Sequence, residues 1–437
     1  MNNAVSAIKK VILLTSLVSF FCLAAQVSNT TPLAVLAIFG VLSFFLPCRC
    51  NLSWVTCLFM VFFLYHALSD YFLFPDTSGF AISRRMLFSF LAGNAMFYAQ
   101  RRVNADFTMQ HSFALLLVIG LGVPIFISMG ETGELFLFAR LRLFYKHPNM
   151  LARSSAVVFL SGFTVLLYGE AGKAKDSLAR LMDKVLLNKY FILLSMAVTL
   201  PIIWLTSSRN ALFFALFISG LLFLGYIRRR LGKLATVLIC VLVLVAGWMT
   251  IRFAPLDKFG LEGNRVIRLM QAAPWKDQTF ISRMPIWESA VNAFKQAPLL
   301  GNGPESFPDT HAAFVASNYE YLTNKYGKRM IDSDTRPAPH AHNMYFMQLA
   351  ESGAFGLLLF LTLLLSPLVS AARNRKLYGT IVPILGFMVL VGLFECPFYG
   401  NFSAAFNITV TFMCLGYFAA IKGDERSERK LHYQRQN

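Results

Sequence analysis

The sequence predicts an all-α integral membrane protein with about twelve transmembrane helices and one large, partly helical loop on the outward side. Three observations predict it. First, 56% of the 437 residues are hydrophobic and only 14% are charged, against roughly 25% charged in a typical soluble domain. That much apolar surface needs lipid as its solvent. Second, the apolar residues come in unbroken blocks instead of amphipathic stripes. The blocks are of the length, about 20 residues, that a spanning helix requires. Third, Lys and Arg collect in alternate connections, as cytoplasmic loops do.

In chain order the blocks fall at 11–27, 32–47, 54–74, 86–99, 113–129, 150–167, 190–205, 211–227, 234–251, 344–368, 380–398 and 403–421. The first follows Lys9 and Lys10 and looks like a signal peptide, but no small-residue cleavage site and soluble domain come after it, so it is read as the first spanning helix. Block 86–99 is the weakest, being short and containing Ser and Gly. The basic connections are Arg49; Arg101 and Arg102; Lys173 to Lys189; Arg228, Arg229, Arg230 and Lys233; Arg373, Arg375 and Lys376; and the tail from Lys422 to Arg435. Their alternation puts both termini in the cytoplasm, with Arg84 and Arg85 as an outward exception. The expected units are therefore spans one to nine over 1–251, the loop over 252–343, spans ten to twelve over 344–421, and a basic cytoplasmic tail over 422–437.

Much of the net charge of +18 is accounted for by that topology. No nucleic-acid motif accompanies it, so no nucleic-acid partner is expected. Of the seven cysteines, Cys48 and Cys50 are too few for a zinc site, and the long loop has none with which to form its own disulfide.

Within the loop, 283–297 reads as a helix with one apolar face formed by Met284, Ile286, Trp287, Ala290, Val291 and Phe294. The Gly- and Pro-rich stretch 298–307 reads as turn, and Gly301-Asn302-Gly303 within it is no phosphate loop, since no strand and lysine flank it. The strongest local signal is Pro339-His340-Ala341-His342-Asn343-Met344-Tyr345, where the loop re-enters the membrane. Asn343 can cap the following helix. A histidine here can bind metal, act as a base or simply sit at the interface. Spacing i, i+2 does not bring two imidazoles onto one helix face, and no third ligand stands at zincin spacing, so no metal is expected. A neutral imidazole can take a hydroxyl proton.

The second signal is arginine at the outward membrane edge. Arg209 lies in the short connection Ser207-Ser208-Arg209-Asn210; Arg140 and Arg142 precede His147-Pro148-Asn149; Arg265, Arg268 and Arg283 lie in the loop. Each either snorkels to headgroups or forms a solvated face, or together they clamp phosphate oxygens in pairs. The outward clustering of these groups, and the lack of an internal repeat, speak against a transporter built around a mid-membrane site.

These features resemble the O-antigen ligase family and its relatives, the O-antigen polymerases and protein O-oligosaccharyltransferases. The residues that carry the resemblance are Arg209 at a helix start, His147-Pro148-Asn149 before a span, and Arg283 with Trp287 and Pro298-Leu299-Leu300-Gly301-Asn302-Gly303. His342-Asn343-Met344-Tyr345 with Glu351-Ser352-Gly353 complete the set. The resemblance implies a cofactor-free and metal-independent inverting glycosyltransferase of the bacterial inner membrane. Its loop and active site are then periplasmic, its donor a glycan on undecaprenyl diphosphate, and its acceptor a hydroxyl of lipid A–core. A polymerase of the same superfamily differs only in acceptor. His342, at the family's His-Asn position, is the expected base with His340 in support. Arg209, Arg142, Arg140, Arg265, Arg268 and Arg283 are the expected diphosphate ligands.

Overall fold

The computed structural model describes residues 2–24, 30–45, 53–73, 79–101, 118, 122, 136–137, 140–141, 148–168, 188–206, 208–253, 278–328, 331, 340–373, 381–396 and 401–436. The helices are α1 (Asn2–Ala24), α2 (Thr30–Phe45), α3 (Trp54–Leu68), α4 (Gly79–Arg101), α5 (Pro148–Tyr168), α6 (Lys189–Leu205) and α7 (Arg209–Phe253). Four shorter helices follow: α8 (Gln278–Ile281), α9 (Met284–Gln296), α10 (Phe307–Ser317) and α11 (Tyr319–Tyr326). The chain closes with α12 (Met344–Arg373), α13 (Ile381–Val391) and α14 (Asn401–Gln436). Two two-residue strands, β1 (Phe136–Leu137) and β2 (Arg140–Leu141), pair antiparallel.

The protein is a multi-pass membrane protein. Among the described residues, five helical stretches are long and apolar enough to cross a membrane: Trp54–Phe72, Pro148–Tyr168, Arg209–Leu234, Met344–Ala371 and Ala405–Arg426. Shorter apolar helices cover Lys10–Leu23, Thr30–Ser43, Lys189–Leu205 and Ile381–Val391. Helices fall on eleven of the twelve apolar blocks, with blocks 211–227 and 234–251 both inside α7, which kinks where Gly232 adopts φ 86°. Block 113–129 lies almost wholly outside the described residues. The outward-turned Leu14, Ile38, Leu64, Phe213 and Leu358 are exposed, as lipid-facing side chains are.

The weakest block occupies the middle of the bundle. Helix α4 packs on α14 and α2. A Cβ at Gly93 would strike the Met413 carbonyl, one at Gly416 the Phe90 carbonyl, and one at Gly40 the Leu91 carbonyl. Small residues let these backbones approach, which is how helices pack where lipid removes the hydrophobic drive between them. Ser83, Ser89 and Asn94 of α4 are buried, so its modest hydrophobicity reflects protein neighbours in place of lipid. Phe59 of α3 stacks on Phe90 of α4 with centroids 3.9 Å apart. Helix α3 runs on into a π-helical turn, Ser69–Leu73, whose buried Asp70 accepts from the Ser83 hydroxyl at 2.9 Å.

The segment between α7 and α12 docks on α12 through α9. Ile286, Ala290 and Ala293 bury against Met347 and Ala350. The predicted single apolar face of this helix is divided: Ile286, Ala290 and Ala293 face inward, whereas Met284, Trp287 and Val291 line an open cleft. At a 100° step per residue the centres of those two stripes lie about 125° apart around the helix.

Within the predicted turn at 298–307, residues 298–303 grip α12 mainly by backbone, with the Asn302 side-chain amide also donating to the Ala350 carbonyl at 3.0 Å. Helix α12 breaks at Gly353, which adopts φ 62°. There the Ala354 and Phe355 amides donate to the Pro298 and Leu299 carbonyls at 2.9 and 3.2 Å, and the Asn302 and Gly303 amides donate to Ala350 and Glu351 at 3.1 and 3.0 Å. Gly301 also has positive φ, at 75°, and a Cβ on it would overlap the Glu351 carbonyl. Tyr65 of α3 sets its hydroxyl 2.8 Å from both the Leu300 and Ser352 carbonyls.

Candidate active site at the start of helix α12

The site begins with a helix cap. The Asn343 side-chain oxygen accepts from the Tyr345 and Phe346 amides at 2.9 and 3.1 Å, the geometry of an N-cap. Its amide donates to Leu393 at 2.8 Å, and the Met344 amide donates to Gly392 at 2.8 Å. The end of α13 thus fixes the start of α12 from both sides of Asn343.

This clamp forces His342 into the left-handed region, φ 50°. That conformation is uncommon outside glycine, and such residues concentrate at functional sites. The His342 amide approaches His340 Nδ1 at 3.4 Å, and the two imidazole centroids are 4.3 Å apart, edge to face. An Nδ1 that accepts is unprotonated, which puts the proton of a neutral His340 on Nε2. Trp287 of α9 donates from Nε1 to the carbonyl of Ala341, between the two histidines, at 3.0 Å. His342 Nδ1 is buried and has no hydrogen-bond partner among the described residues.

Among the described residues, the guanidinium groups of Arg283 and Arg153 both bear on this pair. Arg283, just before α9, donates from Nη1 to the Phe394 carbonyl at 2.7 Å and holds Nη2 3.7 Å from Glu395 Oε1. Asn149 of α5 donates to the same carboxylate oxygen at 3.4 Å, and the Asn149 carbonyl accepts from Arg153 Nε at 3.1 Å. Burial pushes the His342 pKa down to about 3, with His340 and Arg283 adding to the shift. His340 is lowered for the same leading reason, with Glu395 pulling the other way. Both imidazoles are neutral at pH 7 and able to accept protons.

His340, His342 and Arg283 lie together in the structure. Arg209 opens α7, and Phe214, about a turn and a half further on, stacks 6.2 Å from Phe394, the residue whose carbonyl holds Arg283. Arg140 sits in β2. Arg142, Arg265 and Arg268 lie outside the described residues. Sequence reasoning missed Arg153 and Glu395, although each is a charge inside an apolar block, a functional signal in its own right.

Fold and site define a class: a polytopic membrane protein with paired neutral imidazoles and an arginine at the end of a spanning helix. Residues 192–361 match the family model described as O-antigen ligase, so this part of the chain is an O-antigen ligase family segment and the resemblance drawn from its motifs holds. The segment contains Arg209, Arg283, His340 and His342, whereas Asn149, Arg153 and Glu395 fall outside it. No curated protein matches the chain. The family is that of the O-antigen ligases and polymerases, enzymes of glycosyl-transfer type acting on lipid-linked glycan.

Proposed function

We propose that the protein is an O-antigen ligase in the strict sense. It transfers glycan from undecaprenyl diphosphate to a hydroxyl of lipid A–core at the periplasmic face of the bacterial inner membrane, with inversion and without metal. The observation that carries this reading is His342, a half-buried neutral imidazole with a buried Nδ1, held in a left-handed conformation beside Arg283.

In the proposed step, His342 Nδ1 takes the proton of the acceptor hydroxyl. That oxygen attacks the anomeric carbon from the side opposite the diphosphate. The bond from that carbon to the phosphate oxygen breaks, and the diphosphate leaves with the electron pair. Arg283 and Arg209 face the charge that builds on it, joined by Arg140, Arg142, Arg265 and Arg268 from the flanking segments. His340 steadies the backbone of His342 through its Nδ1. An imidazole whose pKa is near 3 is neutral but weakly basic. A bound diphosphate offsets the Arg283 charge, which raises that pKa when a base is needed.

Purified protein given lipid-linked glycan and lipid A–core as separate components tests this. Product on lipid A–core is the expected result. Longer glycan on the carrier lipid would mean a polymerase, and no covalent product at all would leave the transporter reading.

A further inference from the structure

Helix α9 has a second working face. Opposite its buried stripe, Met284, Trp287, Glu288, Val291, Asn292 and Lys295 form one wall of a cleft of about 400 Å3. The other wall is Phe314, Asn318, Tyr321 and Tyr326, from α10 and α11. The volume lies within the roughly 300–1,000 Å3 of small-molecule sites.

The aromatic wall is held in place by polar groups. Tyr326 donates to Glu288 Oε1 at 2.6 Å, Lys325 is paired with the same carboxylate, and Lys325 Nζ lies 2.7 Å from the Tyr321 hydroxyl. The ammonium also sits 5.1 Å from the Tyr321 ring centroid and 5.3 Å from that of Tyr326. Tyr321 is nevertheless 52% exposed, so its ring is available from outside.

Aromatic surface edged by amides, a carboxylate and ammonium groups suits a sugar ring. A pyranose has an apolar C–H face to lay on an aromatic plane and a rim of hydroxyls that both donate and accept. A diphosphate fits poorly, because Lys325 is already paired with Glu288 and only Lys295 of the lining is left to meet its charge. An acyl chain fits poorly too, because Asn292, Asn318, Glu288 and Lys295 would lose water without gaining partners. The location agrees: Trp287 belongs to this cleft and also donates to Ala341, between the two histidines. A saccharide in the cleft is therefore one indole away from the imidazoles.

We propose that this cleft is a saccharide subsite that holds a sugar-bearing segment of a substrate beside His340 and His342. The proposal rests on the ligase reading for the identity of the sugars. Either the acceptor core or the donor glycan can supply them, and the chemistry of recognition is shared.

The test uses the full chain in a detergent without sugar headgroups, with saturation-transfer NMR on the sugar protons as readout. One probe is core oligosaccharide freed of lipid A; the other is O-antigen glycan freed of its diphosphate lipid. Wild type should bind at least one of them, and whichever binds identifies the source. Tyr321→Ala should weaken binding about tenfold, the scale of one aromatic contact and the area it covers, while Tyr321→Phe retains it. No binding of either probe at millimolar concentration, or equal binding by wild type and Tyr321→Ala, overturns the subsite. In the transfer assay, Tyr321→Ala should raise KM for the lipid whose sugar was bound, with kcat little changed. Unchanged KM for both lipids also overturns it and leaves the ligase reading standing. Tyr321-dependent binding without any transfer by wild type removes the ligase reading and keeps the subsite.

Discussion

Replacing His342 separates chemistry from backbone. The residue sits at φ 50°, a conformation that costs an L-amino acid about 1–2 kcal/mol. His342→Gly relieves that strain but adds unfolded-state freedom of about 0.5–1 kcal/mol, so the Gly variant should equal or exceed His342→Ala in stability by up to about 1.5 kcal/mol. Neither substitution touches the Asn343 cap or the bond from Met344 to Gly392. Both remove Nδ1. A general base contributes about a hundredfold to ten-thousandfold, so both variants should lose that much in kcat while binding the donor lipid normally. Single-turnover transfer with radiolabelled donor, beside a separate donor-binding measurement and a thermal melt, reads all three quantities. Recovery of activity in His342→Gly but not in His342→Ala would show that the residue serves backbone geometry and would refute the base role. Activity within about threefold of wild type in both variants would do the same.

Arg283→Ala and Arg209→Ala should each reduce kcat/KM for the diphosphate donor about tenfold to a hundredfold, the worth of a charge-assisted hydrogen bond, and the Lys variants should recover only part of it; normal kinetics in Arg209→Ala would mean that it only snorkels. The acid limb of kcat should lie at higher pH than that of kcat/KM, because His342 is held near 3 in the free enzyme and a bound diphosphate raises it; coincident limbs would rule out that coupling. His342 and His311, depressed to about 3 and 4 from an ordinary 6.5, bind protons only on unfolding, so their contribution to stability is complete above pH 6.5 and fades as pH falls toward 4; melting in detergent that is flat over that range would contradict this. Chelator should leave transfer intact, since arginine supplies the positive charge and Glu395 is already engaged by Arg283 and Asn149; loss restored by one divalent ion would oppose it. Cysteines placed in 252–343 should react only with reagent applied outside, and labelling from the cytoplasm would undo the sidedness.

The apolar blocks could be read from sequence because spans declare themselves by composition. Helix α4 was faint for a physical reason: a helix that meets other helices through Gly93 and buried Ser89 and Asn94 need not be as apolar as one that meets lipid. The Asn343 cap was legible because a cap is a local event. The two stripes of α9 were merged because periodicity reports an apolar surface and cannot say whether a core or a cleft covers it. Arg153 and Glu395 are far apart in sequence, and their shared neighbour Asn149 is visible only in three dimensions. The break at Gly353 falls where Glu351-Ser352-Gly353 interrupts the apolar run, but a polar interruption alone does not distinguish a break from a continuous helix.

The grip of 298–303 on α12 separates anchoring from side-chain identity. It is made largely by main-chain amides and carbonyls, with the Tyr65 hydroxyl and the Asn302 side-chain amide added, so Gly301, Asn302 and Gly353 are its main sequence requirements. Leu299 and Leu300 point away, 72% and 54% exposed. The helices that follow this turn can therefore drift in evolution, or be exchanged between relatives in chimeras, while the mooring stays unaltered. If α10 and α11 form the proposed saccharide subsite, substrate preference is a replaceable cartridge on a mooring that does not change.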